Sequence, residues 1–510
     1  MHDTSDVMHA SLQRSAMRFG ERIAIRSGDR AWSFVELDEW SGAFAAHLVA
    51  AGVVPGDRVA VAMTNRIEFV VVINGISKVG AAAVLLSPSW KAAEIDHALS
   101  LTNPRHAVAD AASVAVLTER LGTAGVSDVD ALPPLPNTPP VLDIDPATEA
   151  VLVFSSGTTG MPKAVRHTHT SMAAATVSWI AALGLGPDDR FQIATPPSHI
   201  LGLLNLLAAT EAGATVRLHP RFDLDEELRR IGSERMTLEM AVAPIALAMA
   251  NHPDIESYDL SSLRYIMWGA TPVTESVANT VTARTGVRFL PAYGASELPV
   301  LSANPVADPA KWRLDSAGLP ALGVEIRVVD LLSGEPVASG ETGEIEARGA
   351  SMMIGYLPAT ANADAFHDGW YRTGDVGWVE PEGWIHLTDR SKEMIKVSGF
   401  QVAPAEIEAV LHGHPSVLDC AVFGVPDVRA GELPVAAVQL DPQRPITGEA
   451  LRTLVEDALA SYKRLHDLVV VDTIPRLPSG KVLRRELRAQ WLAEHAPPAA
   501  PADAQTPQPT

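Results

Sequence analysis

With 510 residues the chain exceeds what one hydrophobic core organises, and at 47% hydrophobic and 20% charged it is globular, so at least two domains are expected. A formal net charge of −21 argues against nucleic acid or an anionic membrane as the main partner, although local basic loops can still hold anionic ligands. The single cysteine, Cys420, excludes an internal disulfide and fits a reducing cytoplasm; in its apolar run it reads as a buried, inert thiol.

Taken in order, the chain starts polar and acidic, without the basic-then-apolar pattern of a secretory signal. No apolar run approaches a membrane span. Residues 22–26 and 31–34 read as short strands around Gly28-Asp29, and Ser33 with Glu36 forms a capping box for a helix carrying Leu37, Trp40, Phe44 and Leu48. Strand 58–63, a helix over 67–79 and strand 82–86 continue an apolar alternation that predicts a parallel, helix-covered sheet. The proline-rich stretch 128–148 reads as a connector. Strand 149–154 and a helix from about Thr168 follow, then strands near 191–195, 214–218, 236–241, 263–267 and 287–290 between helices. From Gly318 the pattern changes to short strands with Gly and Pro turns, at 323–329, 343–348, 376–380 and 384–388. Beyond Asp389 comes an α+β pattern: helix 404–412, strands 417–425 and 434–440, helix 447–460 and strand 467–472. The expected architecture is therefore α/β, with a large N-terminal domain (1–388) of helix-covered, mostly parallel sheets plus a small β subdomain. A small α+β C-terminal domain (389–492) and a disordered tail (493–510) complete it. The Ala-rich helices serve either the core or a homodimer interface, with the core as the default.

One loop draws the chemistry together. Between strand 149–154 and the next helix lies Ser155-Ser156-Gly157-Thr158-Thr159-Gly160-Met161-Pro162-Lys163. Glycines expose backbone N–H groups to an anion, hydroxyls add donors and Lys163 adds a point charge, so the loop is suited to phosphate. It is not a Walker A loop, because Met161-Pro162 intervenes and no Gly-Lys-Ser/Thr opens the helix. His167 and His169, two residues apart with no third ligand near, do not make a metal site if they lie on a helix.

The stretch FSSGTTGMPKAVRHTH resembles the phosphate loop of the adenylate-forming superfamily, which includes acyl-CoA synthetases, 4-coumarate-CoA ligases, luciferases and peptide-synthetase adenylation domains. Four further segments match in family order, over about Thr4 to Leu487. Tyr293-Gly294-Ala295-Ser296-Glu297 resembles the family's YGxTE segment; the match implies that Tyr293 stacks on adenine, Gly294 and Ser296 meet the nucleotide, Ala295 meets the acyl group and Glu297 holds Mg²⁺. In Tyr371-Arg372-Thr373-Gly374-Asp375 the aspartate would accept the ribose hydroxyls of ATP. The stretch from Asp389 to Glu406 looks like the family's hinge segment, with Asp389 as hinge, Arg390 on ribose, Lys396 serving thioester formation, Gly399 and Phe400 beside the pantetheine of CoA, and Gln401 near phosphate. Here Ser398 stands where the family often has Lys. Pro475 to Arg485 resembles the C-terminal loop whose lysine, Lys481, neutralises charge on the α-phosphate during adenylate formation. The resemblance also implies a rotation of the C-terminal domain about Asp389, so that Lys396 and Lys481 serve the two half-reactions in turn.

Trp268-Gly269-Ala270 looks like the turn that lies against adenine and acyl group, with Trp268 reading equally as a core aromatic. Pro196 to Gly202 resembles a segment whose histidine, His199, lines or gates the acyl pocket, the alternative being a satisfied core residue. The stretch 191–207 has no acid to meet an α-amino group, and its apolar character favours a fatty or aryl acid. The resemblance thus implies an ATP- and Mg²⁺-dependent carboxylate–CoA ligase for a hydrophobic acid. Acyl transfer to a carrier protein, or a non-catalytic nucleotide- or acyl-binding protein, stand as alternatives.

Overall fold

Alternating apolar residues send the strands of the first unit into cores on both of their faces. The computed structural model describes residues 7–132, 142–155, 162–269, 275–390, 393–397, 400–427, 429–476 and 480–495. The chain divides into two compact units between Ser391 and Lys392.

In the first unit, the described residues form a seven-stranded and a nine-stranded sheet. In the seven-stranded sheet, strands Glu149–Ser155, Ala82–Leu85, Arg58–Ala62, His106–Ala109 and Val126–Asp128 run parallel, and Lys163–Thr168 and Gly355–Leu357 extend it antiparallel. In the nine-stranded sheet the parallel run is Ile23–Ser27, Thr215–Leu218, Arg190–Ile193, Leu238–Ala241, Tyr265–Trp268 and Phe289–Tyr293. Val59 and Val61 of one sheet share a core with Phe191, Ile193 and Met267 of the other, and Phe44, Ile73, Met172, Leu203 and Leu204 fill the space between. Four helices, Phe34–Ala50, Ile67–Val79, His169–Leu183 and Ile200–Ala212, therefore pack between the sheets. Ile67–Val79 is buried along its whole length, which only a helix covered on all sides tolerates. The intervening strand residues face outward: Ala60, Ala62, Val84 and Leu152 onto helices 92–102 and 111–121, and Ile266 and Trp268 onto helices 224–234, 243–251 and 275–285.

Local signals account for most boundaries. The Ser33 capping box forms, with Ser33 N–H donating to Glu36 (2.8 Å) and Glu36 N–H to Ser33 Oγ (3.3 Å). Several elements depart from the sequence reading, among them these three. Helix Ala10–Phe19 was not anticipated; it buries Ala10, Ser11, Leu12 and Ser15, a face too poor in large apolar residues to stand out. Lys163–Thr168, between the end of the predicted loop and the start of the predicted helix, is a strand paired with Glu149–Ser155. Strand 376–380 begins six residues earlier, as Trp370–Val379. That strand lies in an antiparallel five-stranded sheet with Val324–Val329, Gly343–Gly349, Phe366–His367 and Ile385–Arg390, the expected β subdomain.

The second unit is the expected α+β pattern, with two short strands, Ile395–Val397 and Phe400–Val402, added to its sheet. Cys420 is 1% exposed on strand Val417–Asp427, and burial pushes its thiol well above the ordinary range. Among the described residues no helix is long and apolar enough to cross a membrane.

Candidate active site

The first cluster is built on the hairpin that brackets the phosphate loop. Strand Glu149–Ser155 ends with Ser155 opposite Lys163, which opens the returning strand. Ser156, Gly157, Thr158, Thr159 and Gly160 lie outside the described residues. Lys163 places its ammonium 5.1 Å from the centre of the Tyr356 ring, a cation–π contact. The Tyr356 hydroxyl donates to Glu297 Oε1 at 2.7 Å. Tyr356 reaches this position because strand Gly355–Leu357 pairs with Lys163–Thr168, setting Tyr356 opposite Val165. Glu297 is 7% exposed, so its carboxylate is held by a neutral donor in a largely water-free setting.

The second cluster joins two distant motifs. The Tyr293 hydroxyl, at the end of strand Phe289–Tyr293, donates to Asp375 Oδ2 at 2.5 Å. The two predicted nucleotide contacts are therefore neighbours. Asp375 is set by its turn: Gly374 takes φ +72°, Asp375 N–H donates to Thr373 Oγ1 (3.0 Å), and Thr373 Oγ1 donates to the Ile345 carbonyl (2.7 Å). Tyr371, on the same strand, is 4% exposed; burial, with Glu297, Tyr356, Tyr293 and Asp375 around it, pushes its phenol far above the usual range and keeps it neutral. Between Tyr293 and Glu297 the chain turns tightly, and a Cβ on Gly294 would lie 2.1 Å from the Pro299 carbonyl oxygen. Ala295 is half-buried and its N–H donates to the Leu298 carbonyl at 3.1 Å.

His199, expected at the acyl pocket, precedes helix Ile200–Ala212, half-buried. Its imidazole finds no hydrogen-bond partner among the described residues, and burial lowers its pKa. Gly202 permits close approach, since a Cβ there would lie 2.1 Å from the Pro196 carbonyl oxygen. Gly269 follows strand Tyr265–Trp268; a Cβ there would meet only Leu201 Cδ2, at 4.0 Å, whereas Ala270 lies outside the described residues. For Trp268, read equally as a site residue and as a core aromatic, the burial fits the core reading. It is 1% exposed and packs edge-on against Phe289 (5.5 Å) in the outer core, while Met267 faces the inner core that includes helix Ile200–Ala212. The strand alternation assigns Trp268 to the outer core and Met267 to the inner core.

In the β subdomain, strand pairing sets Arg390 opposite Asp375 and Asp389 opposite Val376; only the backbone of these two residues is described. In the second unit, Lys396 is exposed on strand Ile395–Val397, with Gln401 opposite it and Phe400 opposite Val397, again described by backbone alone, and Gly399 lies outside the described residues. Lys481 Nζ lies 3.9 Å from Glu393. Glu393 also pairs with Arg484, which donates twice to Glu408 (2.8 and 2.9 Å) and to the Val422 carbonyl (2.9 Å). The residue after the lysine's loop is thus fastened at three points.

Three contributors escaped the sequence reading: Tyr356 on Glu297, His167, whose Nε2 donates to the Ser296 carbonyl at 2.7 Å, and His97, whose Nε2 donates to the Pro162 carbonyl at 2.9 Å. His167 belongs to the strand and His169 opens the helix, so the pair does not share one helix. Among the described residues no group of three or more His, Cys, Asp or Glu side chains could hold a metal ion. Glu297, joined through Tyr356 to Lys163, offers a hard carboxylate, which suits a cation that takes its other ligands from substrate oxygens and water.

Comparison with known proteins agrees with this geometry. A family profile described as AMP-binding enzyme matches residues 12–357, and one described as AMP-binding enzyme C-terminal domain matches residues 406–481. The chain is 34% identical to 4-coumarate–CoA ligase 2 of Oryza sativa subsp. japonica, over 92% of this chain and 89% of that protein. It is 35% identical to a feruloyl-CoA synthase of an Amycolatopsis species, over 94% of this chain and 98% of that protein. Among solved structures, an anthranilate CoA ligase in complex with anthranoyl-AMP superimposes with a TM-score of 0.89 at 25% identity, covering 96% of this chain and 98% of that one.

Proposed function

The chain belongs to the AMP-binding enzymes and is an adenylate-forming acid–thiol ligase, and from that premise we propose that it activates a hydrophobic carboxylic acid, aryl or fatty, and passes the acyl group to CoA. The observation that supports this reading is the gathering of Lys163, Glu297, Tyr293 and Asp375 around Tyr356 and Tyr371, which share one core with Ile200 and Leu201, the first residues of the apolar helix after His199. The relatives named for coumarate, ferulate and anthranilate incline the choice toward an aryl acid.

In the first half-reaction a carboxylate oxygen of the acid attacks the α-phosphorus of ATP, and pyrophosphate leaves. Lys163 and the hydroxyl-rich loop bind phosphate oxygens, and Asp375, held by Tyr293, accepts the ribose hydroxyls. A Mg²⁺ ion held by Glu297 would supply charge neutralisation for the phosphates. Lys481 meets the charge that grows on the α-phosphoryl oxygens, worth about 100-fold or more in rate for one preorganised donor. In the second half-reaction the CoA thiolate attacks the acyl carbonyl and AMP leaves with the bonding pair, with Lys396 serving this step and Asp389 acting as the hinge. Met267, Leu201 and Gly202 give the acyl group apolar surroundings without an acid to meet an α-amino group.

The test is AMP and pyrophosphate release over a panel of aryl, short-, medium- and long-chain acids, with and without CoA, for wild type and Lys481→Ala. The expected result is CoA-dependent turnover on one acid class, with acyl-AMP formation lost in the variant. Pyrophosphate release that no thiol accelerates would sink the CoA assignment, and turnover undiminished in Lys481→Ala would sink the role of that lysine.

A further inference from the structure

Two successive carbonyls fasten the loop that carries Glu297. The Glu297 carbonyl accepts from Met353 N–H at 2.8 Å, and the Ser296 carbonyl accepts from His167 Nε2 at 2.7 Å. His167 is 0% exposed. A carbonyl only accepts, so Nε2 carries the hydrogen. Burial holds the imidazole pKa down to about 4, against a smaller upward pull from the Ser296 carbonyl, so the ring is neutral at physiological pH and Nδ1 is an acceptor. Ser171 Oγ lies 3.2 Å from Nδ1 and 3.1 Å from the Thr168 carbonyl, so its one hydrogen is shared between these two acceptors. The same hydroxyl accepts from Thr168 N–H (3.0 Å), and Thr168 Oγ1 accepts from Ser171 N–H (3.0 Å), closing the cap of helix His169–Leu183. The ring is therefore oriented from one side by a helix cap and donates from the other side to the loop.

Its strand makes the contact meaningful. Lys163, Val165 and His167 alternate on one face of Lys163–Thr168, while Ala164 packs into the opposite core. From that face Lys163 reaches Glu297 through Tyr356, and His167 reaches the adjoining Ser296 carbonyl directly. We propose that His167 is a positioning residue for adenylate formation, holding the Ser296–Glu297 backbone in fixed relation to the strand that leaves the phosphate loop. The inference rests on the nucleotide roles assigned to Ser296 and Glu297 above.

The experiment is calorimetric titration of the full chain with ATP at graded MgCl₂, which needs no knowledge of the acid. His167→Leu leaves the Ser296 carbonyl without its donor, and both Mg·ATP affinity and the Mg²⁺ concentration for half-saturation are expected to worsen about tenfold. His167→Gln, which can place an amide nitrogen where Nε2 lies, is expected to restore most of the loss, whereas a purely space-filling role would favour Leu over Gln. A folded Leu variant that binds Mg·ATP as wild type does, or a Gln variant as weak as Leu, overturns the proposal. If the Leu variant does not fold, Ser171→Ala removes the ring's second partner and is expected to shift both readings in the same direction by less; unchanged readings overturn the proposal. A wild type that binds no Mg·ATP overturns the functional reading and this inference with it, and shows itself before any variant is made.

Discussion

Replacing Glu239 by Gln should stabilise the protein at neutral pH. Glu239, on strand Leu238–Ala241, and Glu227, on helix Leu224–Glu234, are each 2% exposed on the outer side of the nine-stranded sheet. Glu239 Oε2 accepts from Gln192 Nε2 at 2.6 Å, but the Oε1 atoms of both glutamates find no partner, and neither carboxyl has an ion pair among the described residues. Burial raises both: Glu227 to about 8, and Glu239 well above its ordinary 4.5, pushed further by Glu227. The native state thus keeps protons that the unfolded chain releases above about 4.5. Stability contributed by the pair therefore falls as pH rises from the unfolded value toward the native one, by about 1.4 kcal/mol per pH unit for each retained proton. Glu239→Gln removes one of these protons and leaves an amide oxygen for Gln192. Between about pH 5.5 and about pH 7.5 the wild type should lose about 2–3 kcal/mol relative to the variant. Urea denaturation of both proteins at both pH values gives this as a double difference, in which titrations common to the two cancel. Denaturation midpoints that move in parallel across the pH range would refute the reasoning, because the pair would then be ionised in the native state.

Asp375→Asn keeps the shape but loses the charged acceptor, so KM for ATP should rise roughly 10- to 100-fold while KM for the acid stays in place, as initial rates with each substrate varied will show. Gly202→Ala puts a methyl group 2.1 Å from the Pro196 carbonyl oxygen. Its overpacking should lower stability by about 1–3 kcal/mol, seen as a reduced thermal midpoint, and weaken binding of the acid at the helix start.

Elements whose apolar period is strong were legible in the sequence. Ile67–Val79 was bounded correctly because Gly80, at φ +75°, stops it and both flanking strands are apolar apart from Arg58. The short strand Lys163–Thr168 was not, because Lys163, Arg166, His167 and Thr168 among six residues hide its alternation behind polar side chains. Trp268 shows the complementary difficulty. That strand 263–267 would enter a sheet was legible, but which of two consecutive residues faces the inner core depends on register, and one step reverses the answer.

The candidate site divides along the same physical line. Residues that meet a ligand sit in contiguous loops, because a phosphate or ribose must be enclosed by neighbouring donors, and such loops carry a readable composition. Residues that hold those loops in place come from wherever strand pairing delivers them: Tyr356 is 59 positions from the carboxylate it holds, and His167 is 129 positions from the carbonyl it holds. No local spacing encodes either contact. Both follow once Lys163–Thr168 is known to be a strand, since its pairing with Gly355–Leu357 presents Tyr356 and its alternation presents His167 on the face of Lys163. Assigning no strand to those six residues therefore concealed the supports of Glu297, although Glu297 itself stood out in the sequence. The strand connects the phosphate loop at one end to the Glu297 loop along its face, so a shift of either loop is transmitted through packed and hydrogen-bonded groups to the other. That coupling is why a histidine without ligand contact is expected to alter the Mg²⁺ requirement.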